Sequence, residues 1–179
     1  MEPYIKKSLY ALTLLAILAL TVPAYAETGK IVKTFPVNKG GTLVIDSNLG
    51  SIYIDTWDRD EVSVLVRRRA SSKQRVKGFE VQIERRGNDI YVKGENRPDN
   101  LVSVDFCVNI PKEYSVDLKT GEGSIDLGDI KGNVKAKTSG DSVKLGDVKG
   151  GVKVDTSGGS IQMGKISGKS CINEAGCSI

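Results

Sequence analysis

The side chains best suited to chemistry lie in a few dense places along the chain. Asp55-Thr56-Trp57-Asp58-Arg59-Asp60-Glu61 packs four carboxylates around the sole tryptophan. Closely spaced carboxylates are the raw material of a calcium loop, but this run lacks the ligand spacing of an EF-hand. The expectation is therefore that Trp57 closes one end of a core while the acids face water. Arg67, Arg68 and Arg69, with Lys73, Arg75 and Lys77 after them, form a basic cluster able to meet an anionic ligand such as an acidic polysaccharide or lipid headgroup. Solvation of a strand end is the plainer reading of the same residues. Aromatic residues do not interleave with these cations, which speaks against single-stranded nucleic acid.

Cysteine and histidine bound the remaining chemistry. Cys107, Cys171 and Cys177 make an odd number. Cys171 and Cys177 lie close enough in sequence to be a disulfide candidate, leaving Cys107 free or available for pairing between molecules. Nothing in the pattern places a base beside Cys107, so a catalytic thiol is not expected. The chain contains no histidine, the commonest general base and a frequent metal ligand. No catalytic residues, metal site or cofactor are expected.

An internal repeat must position these residues. From Tyr114 the sequence returns every eighteen residues: YSVDLKTGEGSIDLGDIK, GNVKAKTSGDSVKLGDVK, GGVKVDTSGGSIQMGKIS and GKSCINEAGCSI. An echo lies upstream in GTLVIDSNLGSIYI, from Gly41 to Ile54. Each copy holds short bursts of period-two alternation, the mark of strands with one buried face. No burst is long enough to bury a core alone, so copies must stack. The fold expected is all-β: a single-stranded parallel β-solenoid (β-helix) with eighteen-residue coils and a partly antiparallel middle section.

Stacking aligns residues into columns. Val116, Val134 and Val152 would point inward together, as would Ile125, Val143 and Ile161. Thr120, Thr138 and Thr156 would line a corner, satisfying backbone groups at turns, and Gly140, Gly158 and Gly176 would supply positive φ there. Outward, Asp126 would pair with Lys144 and Lys137 with Asp155. Lys135 and Lys153 would stand beside Asp117 as repeat-face contacts, while Asp129 and Asp147 would meet as like charges offset by Lys131 and Lys149.

Residues 55–113 break the period. Val62-x-Val64-x-Val66, Phe79-x-Val81-x-Ile83, Ile90-x-Val92 and the long alternation from Val102 to Ile110 read as strands, with a hairpin turn at Arg86-Gly87-Asn88-Asp89. These strands are expected to pack on, or continue, the stack and to protect an end from edge-to-edge association.

The N-terminus reads as a signal peptide over residues 1–26. Lys6 and Lys7 precede the apolar run Leu9–Val22, and Ala24-Tyr25-Ala26 supplies small residues at a cleavage site. The run is short of the roughly 20 residues a membrane span needs. Residues 27–179 then form one exported domain with no transmembrane span after cleavage. The whole sequence has 26 basic and 22 acidic residues, net +4, too small an excess to argue for nucleic acid.

Taken together, GGTLVIDSNLGSIYIDTWDRDEVSV at 40–64, FCVNIPKEYSVDLKTGEGSIDLGDIKG at 106–132 and the TSGDSV and TSGGSI corners resemble the exported bacterial "putative adhesin" family of β-strand-repeat proteins of unknown function. The resemblance implies a β-solenoid and a periplasmic, extracellular or cell-surface location. It departs at Glu174-Ala175-Gly176-Cys177, where the usual corner is replaced. The function expected is a non-enzymatic, adhesin-like interaction module whose partner is an envelope protein or a glycan, with end-to-end self-association through the last coil. The alternative is a periplasmic scaffold or sensor accessory for another envelope protein.

Overall fold

Short runs of alternating aliphatic and polar residues favour strands that bury one face. The computed structural model describes residues 27–174. In chain order the strands of the first half are β1 (Glu27–Pro36), β2 (Thr42–Ser47), β3 (Ser51–Trp57), β4 (Glu61–Ala70), β5 (Phe79–Arg86), β6 (Asp89–Asn96) and β7 (Val102–Pro111). The second half contributes β8 (Ser115–Thr120), β9 (Ile125–Leu127), β10 (Val134–Thr138), β11 (Val143–Leu145), β12 (Val152–Thr156), β13 (Ile161–Met163) and β14 (Ser170–Glu174). One short helix, α1 (Lys73–Lys77), joins β4 to β5.

Two mixed seven-stranded sheets result. The first has the order β1-β4-β7-β3-β9-β11-β13 and the second β14-β12-β10-β8-β2-β6-β5. A common aliphatic core collects the buried faces of both. Within the second sheet Val116, Val134, Val152 and Ser170 are successive parallel partners. Within the first, Ile125, Val143 and Ile161 align the same way, and single bridges join Ile130 to Val148 and Val148 to Ile166. The upstream echo lies directly under the first repeat, with Leu43 on Val116 and Ile52 on Ile125.

The middle section extends the same two sheets. β6 runs parallel to β2 and β7 parallel to β3. β5 then closes antiparallel on β6 through a two-residue loop, where Gly87 takes φ 63°, a conformation that suits glycine at the first loop position of a hairpin. β7 inserts between β3 and β4, parallel to one and antiparallel to the other, so Trp57 and Glu61 are joined by a loop that passes over the end of β7. β1 finishes the sheet antiparallel to β4. Phe79 and Phe106 meet edge to face across the sheets, with centroids 6.2 Å apart.

One end of the core is closed by polar reach rather than by another strand. Ser72 caps α1 by accepting from Arg75 N, and Val76 is the residue that the helix buries. Arg68 donates to the carbonyls of Val76 and Phe79. Lys33 of β1 donates to the Ile83 carbonyl of β5, bridging the two outermost strands at that end.

Several corner expectations change. Thr120, Thr138 and Thr156 are buried and donate to the carbonyls of Gly50, Gly123 and Asp141. The glycines with positive φ in these corners, however, are Gly50 (116°) and Gly123 (128°), not Gly140 or Gly158; Gly176 lies outside the described residues. Asp129 and Asp147 do not stand as bare like charges. Each accepts a backbone N–H from the next repeat, from Asp147 and Lys165 respectively, while Lys131 turns to Glu113. Trp57 is half-buried and does not belong to the core cluster. Its indole donates to the Glu61 carbonyl, and Arg59 stacks 4.8 Å from its ring.

Candidate binding groove

The repeat brings three of its lysines, Lys135, Lys153 and Lys169, to one surface depression. Along the starts of β8, β10, β12 and β14 runs an open groove of about 660 Å³. Val116, Val134 and Val152 contribute to its lining, with Asp117, Lys135, Lys153 and Lys169 among its charged members. Lys135 and Lys153 are direct partners in the parallel ladder, so their backbones are about 4.8 Å apart. Lys135 donates to Asp117 at 2.9 Å. Lys153 and Lys169 have no carboxylate within ion-pair distance among the described residues.

A second depression of about 560 Å³ lies at the other ends of β8 and β10, beside the ends of β2 and β6. Its charges are internally matched: Lys93 with Glu95 at 2.6 Å, and Lys119 with Asp46 at 3.4 Å. Lys137, also in its lining, reaches Asp155 at 3.8 Å. On the opposite sheet Lys144 pairs with Asp126 at 3.8 Å. These exposed pairs contribute little to stability, but they leave the second depression closer to charge balance than the first groove.

The arginine cluster is divided by strand alternation. Arg67 and Arg69 lie on the outer face of β4 and share Asp105, at 3.9 and 2.8 Å. Arg68 turns to the inner side and is held by backbone carbonyls. Arg75 stands on α1, beside a smaller cleft formed with Arg97 and Asn100. Arg67 also donates to the Cys107 sulfur at 2.9 Å. That bond, ahead of the charges of Cys107 and Asp105, holds the guanidinium above its ordinary pKa. Cys171 is exposed at the edge of the lysine groove; Cys177, its expected disulfide partner, lies outside the described residues, as does the expected signal peptide. Among the described residues no three His, Cys, Asp or Glu side chains converge as metal ligands, and no helix is long and apolar enough to cross a membrane.

Tyr114 anchors the first repeat to the middle section. Its ring is buried and its hydroxyl donates to the Asn88 carbonyl. Burial, with Asp89 nearby, pushes its pKa up to about 12. Asn88 in turn accepts from Asn38 N at 2.7 Å and donates back to the Asn38 carbonyl at 2.9 Å. Sequence reasoning had no signal for this lock beyond a lone tyrosine at the start of the repeat.

No protein-family model matches the sequence, and no curated protein matches it. Solved structures to which the chain is similar include a "putative cell adhesion protein" from Clostridium sporogenes, at 12% identity and TM-score 0.36, covering 83% of this chain and 99% of that one. A "putative adhesin" from Bacteroides fragilis is similar at 10% identity and TM-score 0.38, covering 82% and 97%. Another "putative adhesin", from Parabacteroides merdae, is similar at 10% identity and TM-score 0.24, covering 81% and 95%. Likenesses this distant carry no argument about what this chain binds.

Proposed function

We propose that this chain is an exported, non-enzymatic interaction protein of the bacterial envelope or cell surface, built as a β-solenoid of eighteen-residue coils, whose lysine groove engages an acidic glycan. The observation that carries this reading is that Lys135, Lys153 and Lys169 line one open groove across the strand starts, with only Lys135 ion-paired among the described residues. The groove crosses four strand starts about 4.8 Å apart, with Lys135 and Lys153 adjacent in register and Lys169 beyond them, an elongated layout that suits an extended polymer better than a compact metabolite. Each exposed lysine contributes a modest, salt-screened attraction, so useful affinity comes from several sugars engaged together. Cleavage after Ala26 would release the chain for this role, and the absence of histidine from the sequence supports a binding rather than a catalytic reading.

A glycan array probed with the purified protein tests the proposal. Saturable binding confined to uronic-acid or otherwise acidic glycans is expected, weakening as salt rises from 50 to 300 mM, roughly beyond which the Debye length no longer spans the groove. Equal binding to neutral and acidic glycans, or binding unaffected by salt, would refute the lysine groove as the recognition element.

A further inference from the structure

The outer face of the first sheet carries an apolar row that the glycan-binding reading does not use. Register places Val32 beside Leu65, Leu65 beside Cys107, and Cys107 beside Tyr53, on the adjacent strands β1, β4, β7 and β3. Tyr53, Leu65 and Cys107 alternate with buried core residues and so point away from the core, and Val32, their neighbour in register, is exposed beside the half-buried Ile31. Val32 is 65% exposed and Tyr53 40%, while Leu65 and Cys107 are partly covered. Alongside, two residues on, runs a polar row in which Arg67 and Asp105 are neighbours. Elsewhere along this sheet the outward column is charged: Asp126 and Lys144 follow Tyr53 on β9 and β11. The apolar row is confined to this half of the sheet, ends at the edge strand β1, and is flanked on its other side by the polar row Thr34, Ser63, Asn109 and Asp55.

We propose that this half-sheet is the interface of a two-fold symmetric dimer, with the dyad running parallel to the strands between β4 and β7. Such an axis exchanges β1 with β3 and β4 with β7 while keeping each row in place. Val32 then faces the second copy's Tyr53, and Leu65 faces its Cys107. Arg67 faces the second copy's Asp105, and the same contact is repeated by symmetry. The four charges alternate in sign around the dyad, so the surface is complementary to itself. β9 and β11 fall beyond the other copy's β1 edge, which keeps Asp126 and Lys144 from meeting their own images.

Arg67 has reason to take a new acceptor. One of its donors is spent on sulfur, a weak acceptor, its Asp105 contact is long at 3.9 Å, and its side chain remains 43% exposed. A facing carboxylate would satisfy it better. Four strands about 4.8 Å apart and five rows about 6.8 Å apart give a face on the order of 500 Å². That is smaller than the roughly 800 Å² per partner of a stable complex, so the dimer is expected to be reversible and of micromolar affinity. A dyad closes at two copies, whereas stacking through the last coil is heterologous and continues.

Sedimentation equilibrium with a Cys171→Ser/Cys177→Ser chain, in reductant, separates these outcomes. A monomer–dimer equilibrium is expected below ~100 μM, with no larger species. Two sheets about 10 Å apart and offset by one strand hold the two Cys107 thiols within reach of a short bismaleimide, so the dimer should crosslink through Cys107. Val32→Glu should weaken association at least tenfold, on the order of an interface anchor's contribution, and Tyr53→Glu provides the same test if that variant misfolds by circular dichroism. A strict monomer would overturn the proposal. So would an open-ended assembly, a dimer that does not crosslink at Cys107, or one indifferent to both substitutions.

Discussion

Tyr114 shows how one side chain couples two parts of the chain. Its hydroxyl is committed to the Asn88 carbonyl and its pKa is raised to about 12, against about 10 in an unfolded chain. Because the folded value is the higher one, the unfolded state loses its proton first. Stability from this group is complete below pH 10 and is lost as pH rises from 10 to 12. Denaturant titrations at pH 9 and pH 11.5 should show that loss in the parent but not in Tyr114→Phe, once the alkaline change shared by both is subtracted. An equal pH dependence in the two would mean that the tyrosine is not held protonated. Thr138→Val should cost about 1–2 kcal/mol by leaving a corner carbonyl without its donor, measured by the same titration. The threonine column was legible in the sequence because a hydroxyl at every turn of a repeat has one obvious use. The glycine conformations were not: Gly50 and Gly123 stand immediately before the corner serines Ser51 and Ser124, whereas Gly140 and Gly158 stand one position earlier, and only the first two take positive φ.

Among the elements, legibility followed locality. The repeat strands announced themselves because each hydrophobic position recurs eighteen residues later and must find its own kind above and below. The strands of the middle section were also readable from alternation. What could not be read was their order: β7 reaches its place between β3 and β4 only after the chain has crossed to the other sheet and returned. β1 escaped notice altogether, because an edge strand with exposed Thr28, Lys30, Val32, Lys33 and Thr34 has little hydrophobic signature. The insertion of β7 is held by Phe106, fully buried and packed on Phe79. Phe106→Ala is expected to destabilise the fold by about 3–5 kcal/mol, with early loss of amide protection in β3, β4 and β7 by hydrogen exchange. Protection lost instead from β12 and β13 first would show that the stack does not depend on this insertion. Gly94 marks the same junction: a Cβ there would lie 2.6 Å from Ser47 Oγ and 2.8 Å from Phe79 Cζ, so Gly94→Ala should also destabilise, by overpacking.

At the scale of the whole molecule, the lysine groove and the apolar half-sheet lie on different sheets, leaving each accessible while the other is occupied. The sequence identified Lys135 and Lys153 as a column, but it could not show that Asp117 neutralises the first and leaves the second with Lys169 unmatched. It presented the arginines as one patch, although alternation sends Arg68 inward. A cluster of lysines in one groove, rather than total charge, is the feature on which glycan recognition rests. Isothermal titration of the protein with polygalacturonate, beside Lys153→Glu/Lys169→Glu and a Lys137→Glu control in the charge-balanced depression, tests it most directly. Measurable binding is expected for the parent and for Lys137→Glu, with a loss of at least tenfold for the double variant, about 1.4 kcal/mol. Undiminished binding by the double variant, or no binding by the parent at low salt, would contradict the assignment of the groove.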